Sequence, residues 1–376
     1  VSGTLAQVWS PNASGLWVRP VVTSIAQQGR FTNYGVTQPT TTNTGTLPNV
    51  GRTTVSGTQT INASYVTANG GRDGGGKFQV ANKTFAGRVI LQVANVIFHN
   101  CQFNSPPPFY VSSSNGSHKQ YMVDCSNSAC AGIEFWDCKF EPQHGWPGYG
   151  GCLAGHGFKA YRCWFEGGGD GVDPFNSTSS GGVYHLDVEL YGCWFNNRDY
   201  FYSSTDPSKT DPAHPDGTHN DDIQIEQGGD FVKVVGCVLN GWISNLNSEE
   251  GYWPTGNSAV QGNQSVSRGS NYTFDRNWIG GGITAPINGF KATAASGNLG
   301  VLNMVITGNR FYMNGMARRL TPIPPFACVG TGCTGNNTRD DWSINLAYLT
   351  FDNATMTGNV SIGPKPYFAN RIGSTP

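Results

Sequence analysis

The sequence predicts an all-β fold, a right-handed single-stranded parallel β-helix with loop insertions. Three observations carry that prediction. No fifteen-residue stretch free of Gly and Pro places apolar residues at helical spacing, whereas short alternating segments between Gly, Asn and Asp clusters run throughout. One phrase, apolar–x–apolar followed by two residues, then Cys or Asn, any residue and an apolar one, recurs eight times at intervals of 25 to 50 residues. The phrase keeps its internal spacing while the segments between copies vary, which suits a solenoid better than the more equal repeats of a propeller.

The first 55 residues lack the phrase and are rich in Thr, Ser, Gly, Gln and Asn. They are expected to form an arm or cap over the first coil, whose open edge otherwise invites strand addition. The helix proper is expected over 56–361. It opens with Val96-Ile-Phe98-His-Asn-Cys101-Gln-Phe103 and continues through the copies at Cys138, Cys163, Cys193 and Cys237. Later copies replace Cys by Asn277, Asn309 and Asn359. Within each copy the two apolar residues before the Cys share one strand face, and the Cys shares a face with the apolar residue after it. The odd spacing between these pairs requires a bend, so two short strands meet at a corner. Stacked coils then place the five cysteines in one inward column, continued by the asparagines. Residues 362–376, beginning Gly-Pro-Lys-Pro, read as a tail that leaves the helix.

Ten cysteines occur in 376 residues. The five of the phrase read as small buried apolar groups. Cys125 with Cys130 and Cys328 with Cys333 flank short loops and are expected to form local disulfides, leaving Cys152 over. No spacing supports a zinc site.

Composition excludes several functions. Lys plus Arg number 23 against 24 Asp plus Glu, and charged residues make up only 12% of the chain, too few cations for a broad nucleic-acid face. The longest apolar run, Val93 to Phe98, is already broken by Asn95, so membrane insertion is not expected. The N-terminus, Val-Ser-Gly, lacks a basic-then-apolar leader pattern.

Aligning the coils at their second halves places Gly169-Asp170-Gly-Val172-Asp173 over Asn220-Asp221-Asp222-Ile223-Gln224, with Gly151 and Ser258 in the same column. Asp170 and Asp221 would then lie one strand spacing apart, about 5 Å, the separation that retaining glycosidases use. Asp222, Asp173 and His219 stand beside them, and His219 could serve as acid, base or substrate ligand. Three readings stay open for these aspartates: catalysis, satisfaction of backbone N–H groups, and a calcium site. The insertion before them, Asp206 to Asp222, also carries His214, and long loops on rigid scaffolds are where function concentrates. The outward residue of each phrase reads Gln102, Lys139, Trp164, Trp194, Val238, Trp278, Arg310 and Val360. The tryptophans of that stripe could stack sugars, form a subunit contact or lie under the chain's own loops.

The segment Gly217 to Cys237, with Thr218-His-Asn-Asp-Asp-Ile-Gln-Ile225, resembles a stretch of pectate-lyase-like right-handed β-helices in actinobacterial proteins and in minor tail proteins of actinobacteriophages. Val96 to Phe103 is similar to the first-coil phrase of that group. The sequence departs by placing Asp222 where Gly is usual, which adds a carboxylate. The resemblance implies an extracellular or virion protein that binds, and in some cases cleaves, an envelope polysaccharide. A tailspike-like homotrimer is one assembly it implies. A secreted hydrolase or lyase and a purely structural tail component are the alternatives, and no cofactor other than calcium is suggested.

Overall fold

A computed structural model describes residues 10–11, 17–18, 39, 43–104, 120–141, 150–167, 170–196, 221–225, 227–241, 258–262, 264–281, 287–289, 293–312, 334–336 and 351–362. The chain winds repeatedly through three parallel sheets. The first holds ten strands from Thr53–Val55 to Val360–Ile362, the second eight from Gln59–Ile61 to Ile287–Gly289, and the third twelve. Each turn visits them in that order, so Lys83–Phe85 returns to pair with Thr53–Val55, and Val89–Leu91 with Gln59–Ile61. This is a parallel β-helix. A single turn-and-a-half helix, Ala63–Ala68, interrupts the first coil, capped where the Asn62 side chain accepts from the Tyr65 N–H. No described helix is long and apolar enough to cross a membrane.

The corner between third and first sheets shows why the phrase has odd spacing. The residue before each ladder position, from Asn100, Asp137 and Arg162 to Gly308 and Gly358, takes a left-handed conformation with φ between 51° and 67°. That one inverted residue turns the chain without consuming a hydrogen bond of either flanking strand. Cys101, Cys138, Cys163, Cys193 and Cys237 are fully buried in the predicted column. Their thiols donate to nearby carbonyls, as Cys163 Sγ does to Phe135 O at 3.5 Å. Asn277, Asn309 and Asn359 extend the column as an amide ladder. Asn309 Nδ2 donates to Phe274 O at 2.8 Å and to Asn359 Oδ1 at 3.0 Å, while its own Oδ1 accepts from the Asn277 N–H at 2.9 Å. The change from Cys to Asn therefore replaces a polarizable filler by a side chain that satisfies the corner's backbone groups.

An extra copy of the phrase precedes those read from sequence: Phe78-Gln-Val80-Ala-Asn82-Lys83-Thr-Phe85, with Asn82 at φ 54°. Lys83 at the Cys position hid it. In the core, Phe85, Phe103, Phe140, Phe165 and Phe195 stack at ring separations of 5.3, 4.7, 4.6 and 4.5 Å. The strand spacing of a parallel sheet sets this repeat, so one aromatic per coil becomes a continuous pile.

Cys125 and Cys130 depart from expectation. Both are free thiols and both are buried. Cys125 ends the strand Gln120–Cys125 and points into the core, and Cys130 Sγ donates to Leu91 O at 3.2 Å. They fill the interior as the ladder cysteines do and do not staple an exposed loop. Cys152 is also buried, its thiol 3.7 Å from Gly167 O. Cys328 and Cys333 lie outside the described residues. Burial pushes the thiols of Cys125, Cys138, Cys163 and Cys237 up, which holds them neutral and unreactive. A small maleimide added to native protein should leave the eight described cysteines unlabelled until denaturant is present. Rapid native labelling of the five ladder cysteines would contradict the column.

Candidate functional site

Register along the second sheet builds the site. Tyr121 pairs with Gly151, Val172 with Ile223, and Asp221 with Ser258. Extending the pairing of Leu153 with Val172 sets Gly151 beside Asp170, and the next step sets Asp170 beside Asp221. The predicted column is thus present, at the edge where chain enters this sheet. Asp170 is nearly buried and Asp221 and Asp222 are wholly so.

Local chemistry divides the carboxylates. Asp170 Oδ1 accepts from the Asp221 N–H at 3.1 Å, and the Gly171 N–H donates to Asp221 O at 3.0 Å. Asp170 therefore satisfies a backbone donor of the next coil. Asp221 shares the strand face of Ile223 and Ile225, whereas Asp222 shares that of Gln224, because side chains alternate. Asp173 accepts a hydrogen bond from the Tyr121 hydroxyl. Tyr121 reaches it by lying across Gly151, where a Cβ would stand 2.0 Å from the ring. Gly171 is equally constrained, since a Cβ there would meet Asp222 O at 2.5 Å. The two glycines let ring and backbone approach on consecutive coils. Neither Tyr121 nor Gly151 was singled out as functional from sequence; extending the column alignment one coil further back would have found Tyr121. Arg88, on the adjoining coils, is committed to Asp124 at 2.6 Å. Among the described residues no three His, Cys, Asp or Glu side chains gather as a metal site. His219 and His214 lie outside the described residues.

The tryptophan stripe also lines up: Lys139 pairs with Trp164, Trp164 with Trp194, Trp194 with Val238 and Val238 with Trp278. It is not open. Lys139 Nζ lies 4.0 Å from the Trp164 ring, and Trp164 and Trp194 tilt against each other at 5.0 Å. Gly45 packs on Trp164, where an added Cβ would be 3.1 Å away, and its N–H donates to Arg162 O at 2.8 Å. Leu47 N–H reaches Asn100 Oδ1 at 2.7 Å, so residues 43–50 run lengthwise along the corner. Trp278 is buried. Of the three uses open to this stripe, cover by the chain itself describes Trp164.

Fold and site define a three-sheeted parallel β-helix with carboxylates and a phenol gathered at one strand edge. No family model matches this chain, and no curated protein matches it. It is similar to the solved structure of a PL6 family alginate lyase at 8% identity and a TM-score of 0.26, over 85% of this chain and 49% of that one. The chain thus spans about half the length of that lyase.

Proposed function

We propose that the protein binds a polysaccharide along the entry edge of the second sheet and cleaves it there. The observation that carries this reading is the gathering of Tyr121, Asp173, Asp221 and Asp222 at one strand edge within four successive coils, with Gly151 opening the space for the phenol. Cleavage of a glycosidic link needs one group to deliver a proton and another to accept one or to attack. Asp222 and Asp173 supply the carboxylates, the Tyr121 hydroxyl donates to Asp173 and so favours its ionised form, and Asp170 positions the Asp221 backbone. His219, His214 and the inserted loop are assigned to substrate contact. Calcium is not required by this reading. The resemblance of Gly217 to Cys237 supports an extracellular or virion setting and an envelope glycan as substrate, in a tailspike-like protein or a secreted enzyme.

The test is incubation with a panel of neutral and anionic polysaccharides. New reducing ends report cleavage, and ultraviolet absorbance of an unsaturated product separates elimination from hydrolysis. Asp222→Asn and Asp173→Asn should each lower turnover by at least about a hundredfold with melting nearly unchanged. Asp170→Ala should instead destabilise the fold by about 1–2 kcal/mol through loss of a buried acceptor. Full activity in both Asn variants would remove this edge as the catalytic site, and binding without cleavage by wild type would reduce the reading to recognition.

A further inference from the structure

We propose a second glycan-binding site, for a neutral sugar chain, on the ridge where the second sheet turns into the third, with Phe231 as its stacking platform. It rests on the reading of the protein as a glycan binder but not on cleavage at the carboxylate edge.

Every large hydrophobic side chain that is exposed among the described residues lies on this ridge. Phe175, Val183, Phe231, Val266 and Leu299 are 38% to 49% exposed; four of them lie in the segments between second-sheet and third-sheet strands, and Phe231 lies near the start of the strand Gly229–Val235, so all five fall on four consecutive coils. At one strand spacing per coil, the four coils that carry them span about 15 Å. Apolar groups concentrated along one edge and absent elsewhere among the described residues mark a recognition surface.

Phe231 is held in an unfavourable conformation. Its φ is 65°, in a corner column otherwise made of Asn, Asp or Gly: Gly157, Asp187, Asn271, Asn303 and Asn353. An aromatic residue tolerates this region poorly, and strain of this kind accumulates where a side chain must be presented. The ridge beneath is rigid. Asn176 N–H donates to Gln227 Oε1 at 2.8 Å, the Val266 and Ser267 N–H groups donate to Gln227 O at 3.1 and 3.0 Å, and Gln264 Nε2 donates to Leu299 O at 3.1 Å. These buried amides tie each turn to the next, so the exposed rings are preorganised and binding would order little.

The polar neighbours choose the occupant. His185 Nδ1 lies 3.0 and 3.2 Å from the two Asp230 oxygens, immediately beside Phe231 in sequence and register. Asp187 stands in the same column, its carboxyl raised above the ordinary range by partial burial and by the Asp230 charge. Charged groups alternating with apolar ones are unlike the charge-depleted core of a protein interface. They match a sugar, which offers an apolar C–H face to a ring and hydroxyls to carboxylate and imidazole. Two carboxylates at close range repel phosphates and uronates, so the chain that fits is uncharged.

Binding of neutral glucan, mannan and xylan oligosaccharides, with oligoalginate and oligogalacturonate as anionic probes, is measured by calorimetry on the full chain. Phe231→Asn removes the ring and puts a residue suited to positive φ in its place, so the variant should melt no lower than wild type. It should lose about tenfold in affinity for the neutral ligand, as should Phe175→Ala. Unchanged affinity in Phe231→Asn, tighter binding of the anionic probes, or a wild-type dimer that Phe231→Asn converts to monomer would each overturn the proposal. Failure of Phe231→Asn with loss of binding in Asp222→Asn would sink the ridge and leave the carboxylate edge standing. Absence of binding to every probe would overturn both sites.

Discussion

Replacing Asp137 by Asn is expected to destabilise the folded chain by about 3–5 kcal/mol. Asp137 and Arg162 occupy successive positions of the left-handed corner column and are both almost wholly buried. The guanidinium grips the carboxylate as a fork, with Nε 2.7 Å from Oδ1 and Nη2 2.7 Å from Oδ2, and lies over the Trp136 ring at 5.3 Å. Trp136 in turn stacks on Tyr161 at 3.9 Å. Desolvating two ions costs several kcal/mol each, and the fork geometry offsets this only while both partners stay. Asn keeps the tolerance for positive φ and most of the volume, so the measured loss reports the uncompensated Arg162 charge. The double variant Asp137→Gly with Arg162→Gly restores the residue type that Gly192, Gly236, Gly308 and Gly358 already hold in this column. It should be less damaged than either single glycine variant in urea denaturation. A double variant as unstable as the sum of the singles would mean that the two residues do not act as a pair.

His99 should make the protein lose about 3 kcal/mol of stability between pH 6.5 and pH 4. Its ring is 2% exposed and lies 3.9 Å from Asp137 Oδ2, with Arg162 beyond. Burial pushes its pKa down from 6.5 to about 4, against the pull of Asp137, and Arg162 pushes it further down. The unfolded chain therefore takes up a proton on acidification before the native state does, so stability falls as pH drops through 6.5 and levels off below about 4. At about 1.4 kcal/mol per pH unit the window yields the stated loss. His99→Asn should make this part of the pH profile shallower, the remaining slope coming from His156, whose pKa burial also lowers, at some cost in packing at neutral pH. Parallel profiles for wild type and variant would assign the acid sensitivity elsewhere. Asp73 acts at lower pH: partial burial raises its carboxyl, but the Lys77 N–H, Gln79 and the Gly75 N–H lower it on balance, so its contribution is lost as pH falls below the ordinary value of 3.8.

Much of this architecture was legible in the residues. The phrase ending in Cys-x-Phe encodes a corner, and in-register stacking turns a repeated corner into a column, so the ladder from Cys101 to Asn359 and the alignment of Gly151, Asp170, Asp221 and Ser258 could be read by spacing alone. The same logic placed Trp164, Trp194 and Trp278 in one line. Strand periodicity and the bend are local properties, set by a few neighbouring residues. Spacing could not reveal what packs on the outside of the coils. Cys125 and Cys130 looked like a loop staple but fill the core, because their burial depends on strands 30 or more residues away such as Val89–Leu91. The run of residues 43–50 along the corner, the Asp137–Arg162 fork beside it, and the division of Asp221 from Asp222 across the pleat all arise from contacts between distant segments. The repeat by itself determined the solenoid and its columns, since each coil answers to its own local sequence. Only the tertiary structure decided which columns are covered and which charges are paired, because those outcomes depend on long-range burial that no single repeat contains.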